Sequence, residues 1–508
     1  MTSLTFLPLV VPLLIGISIL LIQSLGLKRQ RLISFLGAVT LVWVSINSLL
    51  VSLEGEPQVF ILGNWVAPYG IVLVLDQFSA MMVLITSLLA IGAIWYAIAQ
   101  QIDGKGAHFH TLFHIQLFGL NGAFLTGDVF NLFVFFEVLL LASYGLILHG
   151  GGRLRTKAGL HYVVINLIGS TLFLFAVGAL YGILGTLNIA DMAVKIAELP
   201  VEDYGIVTAA GLLLLLVFGL KAAMFPLYLW LPQAYANASA PVAALFAIMT
   251  KVGLYAIIRV HGTLFGSTAG DLAYFYMPWL LALGLITLLL AALGVLAAKG
   301  LREQIAYLVL TSVATLLIGI GLNTPAALSG SLYYLIHSTL IAAGFFLLAD
   351  MITRGRGVYG DQFESGNPIY KGILLGSFFI FAAIAMTGLP PLSGFFGKLL
   401  ILSAALEHDW FAIILITILI SGLFIIIAVA RSGSILFYQT QINQKPEITP
   451  FNKYAFFAVI LLLATSPILV ILANPITAFT ESTALQLLDK IQYIDSVLNA
   501  LPIERPQP

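Results

Sequence analysis

Residues 219–260 read GLKAAMFPLYLWLPQAYANASAPVAALFAIMTKVGLYAIIRV, and this stretch contains the main determinants of the fold. It holds two successive apolar segments, and each carries one lysine, Lys221 in the first and Lys251 in the second. Pro226 interrupts the first segment, because it cannot donate to the carbonyl of Ala222 and its ring crowds the preceding turn. The stretch therefore predicts two apolar helices, the first of them broken, each with a basic side chain in an apolar setting.

The composition of the whole chain indicates that these helices lie in a membrane. Hydrophobic residues make up 60% of the 508 residues and charged residues only 9%, whereas a soluble domain is typically about 25% charged. A spanning helix needs roughly 20 apolar residues, so the chain has room for well over ten. An open sheet would leave backbone groups unpaired in hydrocarbon, and we therefore predict an all-α integral membrane protein.

The same composition excludes several classes of function. The 22 basic and 22 acidic residues balance, so no basic surface indicates nucleic acid as a partner. The absence of Cys excludes disulfides, thiolate metal sites and thiol catalysis. No P-loop, redox motif or dinucleotide motif is present, so we expect no cofactor and no chemical catalysis. His108 and His110 form an HxH pair without carboxylate or cysteine support, and we predict no metal site.

Apolar runs recur along the chain and predict a single polytopic membrane domain over 1–508, with about fourteen transmembrane helices. The N-terminal run lacks a basic n-region and a cleavage site, so we interpret it as the first span rather than a signal peptide. A weakly amphipathic tail follows at 475–508. The predicted spans are 4–25, 31–52, 72–99, 110–127, 129–149, 160–184, 206–236, 240–261, 273–297, 303–322, 327–350, 370–406, 410–438 and 452–474.

The charges in the connections between spans predict the orientation, because basic connections face the cytoplasm. Basic residues occupy alternate connections on one side, which is then cytoplasmic: Lys28, Arg29, Arg31, Lys105, Arg153, Arg155, Lys157, Lys299, Arg302, Arg354, Arg356, Lys371, Arg431, Lys445 and Lys453. The opposite connections are mainly acidic: Glu54, Glu56, Asp191, Glu198, Glu202, Asp203, Asp271, Glu407 and Asp409. Both termini are therefore predicted to lie outside the cytoplasm.

A second predicted break lies in residues 382–402, AAIAMTGLPPLSGFFGKLLIL. Here the run Gly388–Pro391, with Pro390 and Pro391, frees the carbonyls of Met386 and Thr387. Freed backbone groups within a membrane must be satisfied by water, ions or polar side chains, so two broken helices indicate an ion pathway. The alternative is a structural kink, which is common in membrane helices.

Four ionisable residues lie deep inside predicted spans: Glu137, Lys221, Lys251 and Lys398. Each buried charge costs about 2.5–3.5 kcal/mol on insertion scales. A static ion pair would explain Glu137 with Lys221 but leaves the other two lysines unmatched. A lysine loses solvation in hydrocarbon and is stabilised as a cation near a carboxylate. We therefore predict Glu137 as a modulating partner, Lys221 as a switchable proton carrier, Lys251 as a central relay and Lys398 as the loading or unloading group.

Several histidines are further candidates for proton transfer, because imidazole titrates near neutral pH. His337 lies mid-span in SLYYLIHSTLIAAGFF and is the best relay candidate after the lysines, although it could simply bond a neighbouring carbonyl. Asp128 is predicted to be a helix cap rather than a proton carrier. The remaining candidates lie early in the sixth span or near cytoplasmic edges: His108, His110, His114, His149 and His161.

Three blocks carry a resemblance to a known family: GDVFNLFVFFEVLLLASY at 127–144, the stretch 219–260, and GLPPLSGFFGKLLIL at 388–402. They resemble the antiporter-like subunits shared by Mrp-type Na+/H+ antiporters and respiratory complex I, over essentially the whole chain. Within these blocks the four deep charges look like the family's glutamate of helix 5 and its lysines of helices 7, 8 and 12. The resemblance implies fourteen helices with two inverted five-helix repeats, about 129–261 and about 303–438, and broken helices 7 and 12.

Details within the blocks favour one branch of this family. Tyr228 and Tyr235 replace two histidines that are usual in complex I relatives, and PLYLWLP and TKVGLYAIIRV are similar to the D-type members of Mrp systems. This implies a proton-translocating subunit of a multisubunit Na+/H+ antiporter in a bacterial cytoplasmic membrane, with the A, B, C, E, F and G types as partners. The alternatives are a proton-pumping subunit of a complex I-type or hydrogenase redox complex, and a passive scaffold.

Two positions depart from the family pattern. Ile341 stands where many relatives carry a lysine on helix 11, and Ser312 replaces the histidine of helix 10. The path between Lys251 and Lys398 must then depend on His337, hydroxyl groups and water.

Overall fold

Helices account for nearly all of the regular structure in this computed structural model, which describes residues 3–439 and 451–501. The first half contains α1 Ser3–Leu21, α2 Leu27–Ser52, α3 Gln77–Ala99, α4 Phe109–Leu125, α5 Val129–Leu148, α6 Arg153–Leu184, α7 Ile189–Ala197, α8 Tyr204–Lys221, α9 Trp230–Asn237, α10 Ala240–Phe246, α11 Met249–Ala256, a π-helical segment Ile257–His261 and α12 Gly262–Leu264.

The second half continues with α13 Met277–Ala297, α14 Leu301–Gly321, α15 Pro325–Gly355, α16 Gly372–Thr387, α17 Ser393–Ala404, α18 Phe411–Gly433, a π-helical segment Ser434–Tyr438, α19 Lys453–Leu463, α20 Thr465–Ile471, α21 Ala473–Leu488 and α22 Lys490–Leu498. Short 3-10 turns lie at Gln23–Leu25, Leu62–Asn64, Asp103–Lys105, Val201–Asp203, Gly270–Leu272 and Gly357–Tyr359.

The predicted spans all have helical counterparts. Among the described residues, 12 helical segments are long and apolar enough to cross a membrane. The two remaining predictions correspond to α4, which has 17 residues, and to the pair α16 and α17, which flank the second break. Lys445, predicted to face the cytoplasm, lies outside the described residues, as do 502–508 of the tail. The chain is thus a multi-pass, all-α membrane protein.

One predicted span begins too early, at residue 72. Residues Val72–Leu75 form β2, which pairs antiparallel with β1, Gln58–Ile61, and α3 starts only afterwards. The four residues VLVL favour an extended strand as readily as a helix. Asp76 then caps α3, because its Oδ1 accepts a hydrogen bond from the backbone N–H of Ser79 at 2.9 Å. The predicted start of this span was wrong because a short apolar run does not distinguish the two structures.

The C-terminal tail forms two helices that pack on the body of the protein. Thr480 lies 2.9 Å from the hydroxyl of Ser329 in α15, and Thr483 donates to the side chain of Gln77 at the start of α3 over 3.1 Å. Lys490, at the first position of α22, is buried. The described part of the tail therefore belongs to the packed structure, at the end of the bundle where α3 begins.

Candidate functional site

The first predicted break is present, and polar side chains bond two backbone groups beside it, neither of which is the carbonyl of Ala222 that was expected to be freed. Helix α8 ends at Lys221, and α9 begins at Trp230. The indole N–H of Trp230 donates to the carbonyl of Leu220 at 3.1 Å, and the backbone N–H of Phe225 donates to the hydroxyl of Thr287 at 2.9 Å. Lys221 therefore ends a helix beside irregular backbone, as Pro226 predicts.

The second break is present too, and a lysine caps it. Helix α16 ends at Thr387, and α17 begins at Ser393. Lys398 donates to the carbonyl of Thr387 at 2.8 Å, which is one of the two carbonyls expected to be freed. Gly388 has a φ of 78°, and a Cβ there would lie 2.8 Å from Cδ of Lys398. The backbone conformation thus requires glycine, and a Cβ would also displace the end of the Lys398 side chain.

Glu137 and Lys221 do not form a direct ion pair in this structure. Glu137, half-buried on α5, accepts a hydrogen bond from the hydroxyl of Ser170 on α6. Lys221 donates to the amide oxygen of Asn166 on the same helix at 3.0 Å. Asn166 and Ser170 are one helical turn apart, so they lie on one face of α6. The predicted acid and the predicted proton carrier are therefore each bonded to a neutral side chain of α6 rather than to each other.

A small cavity adjoins Lys221. Its lining includes Phe136, Tyr162, Asn166, Lys221, Trp230 and Met249. The space available to the centre of a water molecule is about 10 Å³, which is close to the volume that one buried water requires. The cavity places room for a single water against the ammonium group and its amide partner.

Lys251 lies on α11 and is fully buried. Its ammonium is 3.4 Å from the hydroxyl of Ser312 on α14, and that hydroxyl donates to the carbonyl of Val309 at 2.6 Å. Ser312 is thus adjacent to the central lysine, at the position where the family resemblance implies a histidine. Ile341 is fully buried, so this departure from the family pattern places an apolar group inside the bundle.

The helix that carries Lys251 is also irregular, which the sequence did not predict. Residues 247 and 248 separate α10 from α11, and a π-helical segment follows α11. Single π-helical turns occur frequently at functional sites. Neither proline nor glycine marks the interruption at 247 and 248, so no breaker residue signals it.

His337 bridges the two halves of the second broken helix. Its Nε2 lies 3.1 Å from the carbonyl of Ala385 on α16, and its Nδ1 lies 2.7 Å from the hydroxyl of Ser393 on α17. A carbonyl only accepts, so Nε2 carries a proton, and in the neutral imidazole Nδ1 then accepts from Ser393. Ser466 extends the chain, 2.8 Å from Ser393. The carbonyl contact fits a structural role, and the hydroxyl chain fits a relay.

The predicted site residues therefore form separate hydrogen-bonded groups and not one connected network. Each is hydrogen bonded locally, but no direct hydrogen bond joins Lys251 to His337 or His337 to Lys398 among the described residues. A proton path between these groups needs intervening water or side-chain motion.

Sequence reasoning also missed a buried ion pair. Arg259, in the π-helical segment, donates to the carboxylate of Asp76 at 2.5 Å, and both side chains are at most 5% exposed. Because both residues lie near the ends of predicted spans, the sequence did not show that they are buried.

Asp128 caps α5, as predicted. Its carboxylate accepts a hydrogen bond from the backbone N–H of Asn131 at 2.7 Å.

Comparisons with known proteins agree with this architecture. Residues 126–425 match the family described as NADH:quinone oxidoreductase/Mrp antiporter, TM. The chain is 40% identical to the D subunit of a probable K(+)/H(+) antiporter of Rhizobium meliloti (strain 1021), over 98% of each chain. It is 37% identical to the D subunit of the Na(+)/H(+) antiporter of Bacillus subtilis (strain 168), over 98% of this chain and 100% of that protein.

A solved structure extends the comparison to three dimensions. The fold is similar to a chain of the Mrp complex from Dietzia sp. DQ12-45-1b, with a TM-score of 0.86 and 25% identity, over 98% of this chain and 100% of that one. The family match covers more than half of the sequence, and the curated relatives are matched along nearly their whole length. The chain therefore belongs to the NADH:quinone oxidoreductase/Mrp antiporter family of membrane proteins.

Proposed function

We propose that this chain is the D-type, proton-translocating subunit of a multisubunit monovalent cation/proton antiporter, and not a chemical catalyst. The main support for this proposal is that the buried lysines donate hydrogen bonds to neutral acceptors. Lys221 bonds an amide, Lys251 a hydroxyl and Lys398 a backbone carbonyl. Such acceptors accept a hydrogen bond from an ammonium or from a neutral amine alike. A carboxylate at the same distance would stabilise the ammonium and hold its proton.

The relatives support this assignment to an antiporter. The curated proteins matched over nearly their full length are named as D-type antiporter subunits. The other Mrp subunits, of A, B, C, E, F and G types, are then its partners in a bacterial cytoplasmic membrane. The basic connections lie on the cytoplasmic side and both termini on the other. Glu137 is the single carboxylate among the four deep charges, so the Na+ or K+ path lies mainly in other subunits.

Transport by everted membrane vesicles that hold the whole complex tests the proposal. We expect Lys251→Ala to abolish the collapse of a respiration-driven pH gradient when Na+ or K+ is added, while the complex still assembles. Lys195→Ala is the matched control, because this lysine is surface-exposed and pairs only with Asp191 on its own helix. Unchanged coupling in assembled Lys251→Ala complexes would remove the central relay and favour the passive scaffold.

The alternative is a membrane subunit of a redox complex, since the family includes such proteins. The genes beside this one separate the two functions. Genes for small membrane subunits are expected for the antiporter, whereas genes for iron–sulfur and flavin subunits would favour the redox complex.

A further inference from the structure

A continuous chain of hydrogen bonds lies outside the lysine series, at the end of the bundle where α2 and α4 begin. His110 Nε2 lies 3.0 Å from the carboxylate of Asp103, and its Nδ1 lies 2.9 Å from the hydroxyl of Ser34. The same hydroxyl lies 3.0 Å from Nε2 of His114, one turn further along α4. Four side chains from two helices and one connection are thus linked without a gap.

One end of this chain approaches solvent, and the other ends inside the protein. Arg31 binds both carboxylate oxygens of Asp103, at 2.6 and 2.8 Å, and its side chain is 23% exposed. All four members of the chain, Asp103, Ser34, His110 and His114, are at most 1% exposed, so Arg31 provides the contact with solvent. Nδ1 of His114 has no hydrogen-bond partner among the described residues. The unpaired nitrogen gives His114 a free acceptor site, and because burial disfavours the imidazolium, protonated His114 is only a transient state of the transfer.

The polarity of the bonds follows from the acceptor at the outer end. Asp103 is a carboxylate, so Nε2 of His110 donates to it and Nδ1 accepts from Ser34. The hydroxyl oxygen of Ser34 then accepts from Nε2–H of His114, which leaves Nδ1 of His114 as a bare acceptor. A proton arriving at this Nδ1 converts His114 to imidazolium. Transfer of its Nε2 proton to Ser34, and of the Ser34 proton to His110, leaves His110 as the imidazolium beside Asp103.

We propose that Asp103, His110, Ser34 and His114 form a proton-exchange wire between the cytoplasmic surface and the interior of the N-terminal helices. The charge ends at His110, which Asp103 stabilises. The Nε2 proton of His110 then passes to the carboxylate of Asp103, and from there to water when the partly exposed Arg31 side chain moves aside. His110 and His114 are left as Nδ1–H tautomers, so each must lose its Nδ1 proton and regain one on Nε2 through water before the next transfer. The cytoplasmic direction rests on the proposed function and orientation.

The charges around His110 agree with this assignment. Burial raises the pKa of Asp103, but hydrogen bonds from His110 and Arg31 outweigh it, so the pKa falls below its usual value and the group stays a carboxylate. His149, at the end of α5, and Arg155, which bonds its carbonyl, also lie nearby. Burial chiefly lowers the pKa of His149, and its Nε2 is bonded to the carbonyl of Ile102. It therefore remains neutral outside the wire. Helix α1, which packs on α4, carries no titratable side chain.

A static staple between α2 and α4 would use the same hydrogen bonds, and the pH profile of antiport separates the two roles. Ser34→Ala cuts the wire between the histidines but keeps the contact between His110 and Asp103. His114→Gln removes the inner titratable group and keeps a donor for Ser34. His108→Asn is the matched control, because His108 is exposed on the same helix end and asparagine tolerates its left-handed φ of 61°.

We expect Ser34→Ala and His114→Gln to shift the midpoint of the profile against external pH in everted vesicles by about half a unit or more, on the scale of imidazole titration. The apparent KM for the cation should not change. The shift is measured per assembled complex, and Ser34→Thr, which keeps the hydroxyl, should restore the wild-type profile.

The proton-exchange wire would be overturned if the pH profiles of Ser34→Ala and His114→Gln had the same midpoint as that of His108→Asn and only a lower maximal rate. The hydrogen bonds would then serve only to hold α2 and α4 together. If one variant fails to assemble, the other decides the result. Failure of the proposed function is distinguishable, because Lys251→Ala would then leave coupling unchanged at every pH.

Discussion

The ammonium of Lys221 lies 3.0 Å from the amide oxygen of Asn166, and not against a carboxylate. Ser170, one turn along the same helix, donates to Glu137. Helix α6 thus supplies a neutral partner to each member of the predicted acid–lysine pair. The attraction of Glu137 for the ammonium acts through space, and the direct contact with the amide favours the charged form of the lysine less than a contact with a carboxylate would.

Substitution of Asn166 should therefore reduce antiport in two different ways. Asn166→Ala leaves the buried ammonium of Lys221 without its hydrogen-bond acceptor, which costs about 1–3 kcal/mol. Transport should slow roughly tenfold if the protonated lysine takes part in the rate-limiting step. Asn166→Asp places a carboxylate against the lysine, fixes its proton and should also slow transport. Thr171→Ala is the control on the same helix, since its exposed hydroxyl bonds only the carbonyl of Leu167. Wild-type rates in both Asn166 variants would contradict the proposed switch.

The contact between Lys251 and Ser312 predicts a smaller effect, because the distance of 3.4 Å is long for a hydrogen bond. Ser312→Ala should lower the rate of antiport by roughly twofold to tenfold, from the loss of about 0.5–1.5 kcal/mol. Thr311→Val removes a neighbouring hydroxyl that bonds only the carbonyl of Leu308, and should leave the rate unchanged. Equal losses in the two variants would indicate a packing effect rather than a relay.

The two possible roles of His337 are separable by His337→Gln. A glutamine amide can still donate to the carbonyl of Ala385, so the link across the break is kept, but it cannot titrate. We expect assembled complexes with strongly reduced antiport if the residue relays protons. The assay is vesicle antiport normalised to the amount of the chain in the membrane, with Ser338→Ala as control. Full activity would assign His337 to the helix break alone.

The sequence predicted the features that have a local cause. Pro226 and the pair Pro390 and Pro391 remove backbone donors wherever the chain goes, so both breaks were predictable. A lysine in an apolar run is visible by composition, as Lys251 shows, and Asp128 is recognisable as a cap by its position.

The features that the sequence did not predict depend on packing between distant segments. Asn166 partners Lys221 only because α6 turns one particular face toward α8. Arg259 meets Asp76 across 183 positions of sequence, and neither residue is unusual at the end of a span. The interruption at 247 and 248 has no proline or glycine, so tertiary contacts rather than local propensity must produce it.

Lys490 should make the stability of the docked tail depend on pH. Burial chiefly, and then the charge of Arg259, lowers its pKa from 10.5 to about 7. Between these two values the unfolded chain binds a proton that the folded chain lacks, so the stability of the folded chain rises with pH across this window. Below about pH 7 the lysine is charged in both states, and the folded chain then bears the full cost of burying that charge.

Lys490→Met removes this titration. Its advantage in thermal unfolding temperature over the wild type should be largest at pH 6 to 7 and shrink toward pH 9.5, across the window set by that pKa of about 7. Lys195→Met, at an exposed lysine, should show no such trend. A constant difference between Lys490→Met and the wild type across the range would show that Lys490 does not titrate there.

Loss of one member of the pair formed by Arg259 and Asp76 should be strongly destabilising. Asp76→Asn keeps an oxygen to cap α3 but leaves a buried guanidinium unpaired, which typically costs about 3–5 kcal/mol. The pair of Lys195 and Asp191, whose side chains are 42% and 15% exposed, is the comparison. Asp191→Asn should cost about 1 kcal/mol or less, because the lysine of this pair remains in contact with solvent. Both are measured as the unfolding temperature and yield of the purified complex.

The double variant Asp76→Asn, Arg259→Met separates charge from packing. Removing both charges leaves no unpaired ion, so most of the lost stability should return, because replacing both members of a buried pair with neutral groups is often tolerated. If the double variant is as unstable as Asp76→Asn alone, the guanidinium stabilises the bundle through its other contacts. Those contacts include the hydrogen bond to Tyr255 at 3.2 Å and the contact with the Tyr493 ring, whose centre is 5.1 Å from the guanidinium carbon. The contact with Tyr493 would then hold the tail to the bundle.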